Sequence, residues 1–181
     1  MSERARSLFV VREIDEITMN PFKQIGQEWM LITAGTLQAW NTMTAAWGGF
    51  GFLWGKPTAF AFVRFTRYTY EFMERSSHFT LSFFGSAWRK ALMTCGTKSG
   101  RDIDKVKETG LNPIDLTGSF HISGEAMAFE QARQVFACRK LYSSLVSPEQ
   151  FTADELHSHY PDKDYHHMYV GEIESVLEKK S

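Results

Sequence analysis

The chain has 181 residues, of which 43% are hydrophobic, 23% charged and 14% aromatic, and its formal net charge is -1. That composition fits a single domain, residues 1–181, with a real core, and excludes a disordered chain. The near-neutral charge argues against a nucleic-acid binder, which needs a basic field, and no window approaches the roughly 20 apolar residues that span a bilayer.

Residues 1–22 start with charge (MSERARSLFVVREIDE), lack a signal-peptide core and read as a lead segment. Cys95 and Cys138 are the only cysteines and form no Cys-x-x-Cys pair, so the expected compartment is a reducing cytoplasm. WMLITAGTL, 29–37, predicts a strand ending at a glycine turn. TAFAFVRF, 58–65, predicts a strand with Phe60 and Phe62 on one face and Ala59, Ala61 and Val63 on the other. Alternating large and small residues suit the inside of a small barrel. RYTYEFMERSS predicts a short helix with Thr66 as its N-cap. HFTLSFF, 78–84, is a further strand, and SAWRKALMTCG a helix closed by Gly96. Residues 99–110 read as a charged helix starting at Ser99 and ending at Gly110. GEAMAFEQARQVFACRKLYSS leaves helix and strand both open: Ala, Glu and Gln favour helix, while QVFACRKLY suits a buried strand. HHMYVGEIESVLEKK predicts a strand with a charged tail. Strands therefore dominate without regular βαβ alternation, which argues against a doubly wound sheet.

Residues 41–57, NTMTAAWGGFGFLWGKP, carry four glycines and a Gly-Lys pair. A phosphate loop would need glycine at Phe50 and Ser or Thr at Pro57, and a dinucleotide fingerprint needs another glycine spacing and a following helix. Two readings remain, an aromatic turn between strands or a ligand loop. NTMT offers hydroxyls, an amide and backbone N–H groups around a turn, suited to the rim of a flat polar heterocycle that Trp47 would cover. Arg64–Thr69 sets two arginines and two threonines at a helix N-terminus, either a phosphate seat or a plain cap. Arg101 and Lys105 share one helix face, which by itself indicates a solvated surface. His157, His159, His166 and His167 lack a matching carboxylate pattern, so no metal is expected, and Cys138 reads as a small core residue.

These segments, in this order, resemble the flavin reductase-like family. NTMTAAWGG is followed by a strand and RFTRYTYEF, then LSFF, SGRD with Lys105, CRKLY and DYHHMYVGEI, and the resemblance runs over about residues 27–176. It implies a mainly β fold, a six-stranded Greek-key split β-barrel with short peripheral α-helices, usually a homodimer, binding FMN at the barrel edge. It implies flavin-ring contacts from Asn41, Thr42, Met43, Thr44, Ala45 and Trp47. Thr66, Arg67, Tyr68 and Thr69, helped by Arg64, would serve the phosphate. Ser99, Gly100, Arg101 and Lys105 would add contacts, and His166 would reach the ring edge. Phe65 stands where relatives often have proline, and Thr66 where they often have serine. The implied activity is hydride transfer from NADH or NADPH to flavin, without a catalytic side chain. The alternative is a flavoredoxin-like electron carrier that oxidises NAD(P)H poorly.

Overall fold

The computed structural model describes residues 3–180. In chain order the elements are α1 (Glu3–Leu8), β1 (Phe9–Arg12), α2 (Pro21–Lys23) running into a π-helical turn (Gln24–Glu28), β2 (Met30–Gly35), β3 (Trp40–Ala45), β4 (Gly48–Leu53), β5 (Lys56–Arg64), α3 (Tyr68–Arg75), β6 (His78–Phe83), α4 (Arg89–Thr97), α5 (Lys105–Thr109), β7 (Pro113–Asp115), β8 (Met127–Phe129), β9 (Gln134–Leu145) and β10 (His166–Lys179). Eight strands form one antiparallel sheet in the order β3-β2-β6-β9-β10-β5-β4, with β1 also on β10, and β7 and β8 make a separate hairpin. The count exceeds the six strands expected because β1 and the glycine-rich β4 join the sheet. No helix among the described residues is long and apolar enough to cross a membrane.

The end strands of this order, β3 and β4, are separated in sequence only by Ala46 and Trp47. Ala45 and Gly48 are three Cα steps apart, at most about 11 Å, so the sheet curls to bring its end strands together. β10 carries β9 along one side; on its other side His166–Glu172 pairs with β5 and Val176–Lys179 with β1. The barrel splits there. Bulges at Val170/Gly171 and Ile173/Ser175 bend β10 through this change. Gly171 permits it: a Cβ there would lie 2.7 Å from the Phe79 ring and 2.8 Å from the Cys138 Cβ.

Strand alternation sorts the side chains into two cores. Met30, Ile32, Leu81, Phe83, Phe136 and Tyr169 fill the barrel, and Leu31, Leu92, Phe129, Val135 and Leu177 pack between sheet and helices. On β5 the small residues Ala59, Ala61 and Val63 face inward, as the alternation predicts, and Phe60 and Phe62 are half-buried.

Several local expectations are corrected. Residues 1–22 contain α1 and β1, and Ala5 and Phe9 are buried in the outer core. NTMT lies in strand β3, not in a turn. GGFGFL is strand β4, and only Trp54–Gly55 turns, both at positive φ as a tight hairpin demands. The N-cap of α3 is Arg67 rather than Thr66, and its side chain makes no capping bond. Gly96 does not close α4, which runs to Thr97; a Cβ at Gly96 would sit 3.2 Å from that of Thr44, so this glycine lets the helix lie against β3. Ser99 starts a turn instead of a helix, because Asp104 is the better cap: its carboxylate accepts from Val106 N and Lys107 N. Gly110 ends α5 in the left-handed conformation, as expected. The ambiguous segment becomes β8 and β9, since burial in the sheet outweighs its helix propensity.

Candidate functional site

The short β3–β4 connection brings the end of β3, the end of β5 and the start of β10 to one barrel edge, where two adjoining clefts open. The first, about 190 Å³, is lined by Met43, Thr44, Ala45, Ala46, Trp47, Phe62, Arg64, Arg67 and His166. The second, about 250 Å³, is lined by Asn41, Met43, Thr66–Thr69, Thr97–Gly100 and Lys105. Met43 and Arg67 belong to both, so the clefts form one elongated site within the range typical of small-molecule pockets, roughly 300–1,000 Å³.

The first cleft is flat-walled. Trp47 lies 4.9 Å, centroid to centroid, from His166 and 5.5 Å from His159. His166 is buried, and its Nδ1 shares a 2.9 Å hydrogen bond with the Tyr160 hydroxyl. Burial first, then the charge of Arg64, lowers its pKa to about 4, with Asp164 opposing the shift. At neutral pH the ring is uncharged, so with Nδ1 tied to Tyr160 its Nε2 is left to exchange hydrogen bonds with a ligand. Arg64 is already engaged: Nη1 donates to both Asp164 carboxylate oxygens at 2.7 Å, and Nη2 donates to His159 O at 2.9 Å. It pins residues 159–164 over the cleft and has little left for a phosphate.

The second cleft is polar and cationic. Arg67 Nη2 donates to Gly96 O at 2.7 Å, at the C-terminal end of α4. Lys105 is 7% exposed, and its Nζ donates to Thr42 O at 2.5 Å and to Cys95 O at 3.2 Å. Burial lowers its pKa to about 8; the neighbouring Cys95 opposes this and Arg67 adds to it. The ammonium is still mostly protonated at pH 7. Asn41 Nδ2 donates to Thr69 Oγ1 at 2.8 Å, which ties β3 to the first turn of α3. Gly100 lies against the same amide, where a Cβ would overlap Asn41 Oδ1. Because no side chain caps α3, its first N–H groups are left for an anion.

Of the sixteen residues singled out from sequence, fourteen line the two clefts; Thr42 and Arg101 do not. The Thr42 hydroxyl is fully buried, bonded to Thr33 Oγ1 and Ile32 O. Arg101 faces outward, paired with Glu71 and stacked over Tyr68, because the 99–102 turn breaks the helical register that would have put it beside Lys105. Sequence reasoning missed the lining residues Ala46, Phe62, Thr97 and Lys98, and the supporting roles of His159, Tyr160 and Asp164. Phe62 carries a readable signal, being on the outward face of β5; the others come together only through the tertiary fold.

No protein-family model matches the chain, and no curated protein does. Solved structures do. An FMN-binding domain of a flavin reductases-like enzyme from Shewanella baltica superposes with a TM-score of 0.65 at 16% identity, over 94% of this chain and 76% of that one. Flavoredoxin from Methanosarcina acetivorans gives 0.59 at 20% identity, over 89% and 74%. An NADH:FAD oxidoreductase from Streptomyces globisporus, solved with NAD and FAD fragments, gives 0.57 at 13% identity, over 84% and 77%. The chain thus has the split-barrel fold shared by the flavin reductase-like FMN-binding proteins and the flavoredoxins.

Proposed function

We propose that the protein binds FMN in the elongated site and works as an NAD(P)H-dependent flavin oxidoreductase. The observation that carries this reading is the division of the site into an aromatic cleft and a cationic cleft joined at Met43 and Arg67. FMN has the same division, a flat ring at one end and a phosphate at the other. The donor set fits it. Met43, Thr44, Ala45, Trp47 and His166 would hold the ring. Thr66, Arg67, Tyr68, Thr69, Ser99, Gly100 and Lys105 would hold the ribityl phosphate, with Asn41 bracing the junction. Bound FMN would supply hydride acceptance from NADH or NADPH and electron delivery to an acceptor.

The side chains supply binding and electrostatics. Arg67 and Lys105 bring positive charge, which stabilises an anion in a partly dry site. Neutral His166 offers a hydrogen bond without adding a second cation beside Arg64. Trp47 shields the cleft from water. We further propose a homodimer, since Phe52 and Trp54, 74% and 57% exposed on the β4–β5 hairpin, favour self-association, and a location in the cytoplasm, where free cysteines such as Cys95 and Cys138 stay reduced.

The test is the visible spectrum of the purified protein after incubation with FMN, followed by stopped-flow mixing with NADH and NADPH. The reading expects a bound flavin spectrum that bleaches with at least one nucleotide. Bound flavin that neither nucleotide reduces, but a protein donor does, would replace it with the flavoredoxin-like reading. Light scattering at micromolar concentration gives the oligomeric state.

A further inference from the structure

A larger cavity, about 390 Å³, lies beside the first turn of α4, away from the aromatic and cationic clefts. Its lining is mixed: Phe84 and Leu92, 5% and 2% exposed, give it an apolar side, and Gln27, Gly85 and Ser86 line the rest. Two guanidinium groups stand on its rim, Arg89 and Arg133, together with Glu28. Both are held. Arg89 Nη1 donates to Gln27 O at 2.6 Å and Glu28 O at 3.2 Å, and its guanidinium lies over Trp29, 3.1 Å from the ring centroid. Trp29 keeps φ 70° and ψ 164° to present that face, a backbone state rarely adopted by residues with a Cβ. Arg133 is paired through Nη2 with Glu28.

Each guanidinium has five N–H donors in a fixed fork. Arg89 uses Nη1 and Arg133 uses Nη2; their other nitrogens have no protein partner among the described residues. Two positive charges face one carboxylate, so the rim keeps a net positive charge. A small inorganic anion would leave the apolar side unused, and a neutral apolar molecule would leave the forks unmet. The combination suits a carboxylate attached to a flat apolar ring. One hydrogen bond links the walls of the two cavities: Leu92, which lines this one, accepts through its carbonyl from the hydroxyl of Thr44, which lines the aromatic cleft.

We infer that this cavity is a second binding site, for a small ring carboxylate, set apart from the flavin cleft. The proposal does not rest on the flavin reading.

The test is an NMR titration of the full chain with benzoate, and in parallel with benzyl alcohol and inorganic phosphate. Benzoate should give saturable shifts at the amides of residues 84–92 and at the Arg89 and Arg133 Nε–H groups. Benzyl alcohol should give none, and phosphate should bind at least about tenfold more weakly. Arg133→Gln, a change at an exposed position, should weaken benzoate binding about tenfold or more. No saturable shift below about 10 mM benzoate, equal binding of phosphate, or benzoate binding unchanged in Arg133→Gln would each overturn the proposal. The readout needs no flavin, so failure to bind FMN in the same sample would count against the flavin reading alone.

Discussion

Lys105→Met separates the proposed binding role of this lysine from its structural one. Lowering its pKa from 10.5 to about 8 corresponds to a burial penalty on the order of 3 kcal/mol. Its two hydrogen bonds, to Thr42 O and Cys95 O, return about 1.5–3 kcal/mol each as charge-assisted bonds. Together they return about 3–6 kcal/mol, so the lysine at least offsets its own burial in the free protein. Methionine keeps the length and removes the penalty but leaves the carbonyls less well satisfied, so unfolding stability should fall by no more than about 3 kcal/mol. Phosphate binding is different. Loss of a charge-assisted contact to the phosphate costs about 1.5–3 kcal/mol, a weakening of about 10- to 150-fold in FMN affinity. Urea denaturation of the flavin-free protein measures the first quantity, and quenching of FMN fluorescence at pH 7 the second. A variant that loses more than about 3 kcal/mol of stability but binds FMN within twofold of wild type would refute the argument, and Lys105 would be a structural tie only.

Arg67→Ala should weaken FMN about tenfold or more, since it removes the cation shared by both clefts, and unchanged affinity in the same titration would reject the phosphate assignment. Gly100→Ala would drive a methyl group into Asn41 Oδ1 and displace the Asn41–Thr69 bond. Thermal melts should show a loss of about 1–3 kcal/mol together with weaker FMN binding; an unshifted melting temperature would mean that the 99–102 turn yields freely. His166 should titrate near pH 4 by NMR rather than near 6.5. The depressed value means that its contribution to stability is complete above about pH 6.5 and is lost as pH falls toward 4. Tyr160→Phe removes the partner of Nδ1, so the titration midpoint of His166 should move in that variant, and a midpoint identical to wild type would show that the hydroxyl does not hold the ring.

What the sequence disclosed and what it hid divide along physical lines. β5 was legible because its side chains alternate, β6 because it is buried throughout, and Gly110 because a left-handed helix end favours glycine. Asn41–Thr44 looked like a turn because polar residues usually mark one. Its polar groups are instead used across the sheet and by distant residues: Thr42 by Thr33, Asn41 by Thr69 and the Thr42 carbonyl by Lys105. Gly96 looked like a helix stop, yet its smallness serves the packing of α4 on Thr44. Arg64 looked available for phosphate because nothing nearby in sequence engages it; Asp164, a hundred positions on, does. The helix start was read at Ser99, but Asp104, five positions on, caps the helix instead. The order of the motifs foretold the barrel, but which donors remain for a ligand depends on contacts that only the closed sheet creates.

The place of β10 has a consequence for how the protein is made. Three strands, β1, β5 and β9, pair with it, and it is the last of the sheet's strands in chain order. During synthesis β1 and β5 leave the ribosome long before their shared neighbour exists. His166, which lines the aromatic cleft, arrives with that same strand. The earlier strands must therefore wait with unpaired edges, a state in which a nascent chain is prone to cling to other chains. The barrel is therefore expected to close only once β10 has been made, and the aromatic cleft to be among the last parts to assemble.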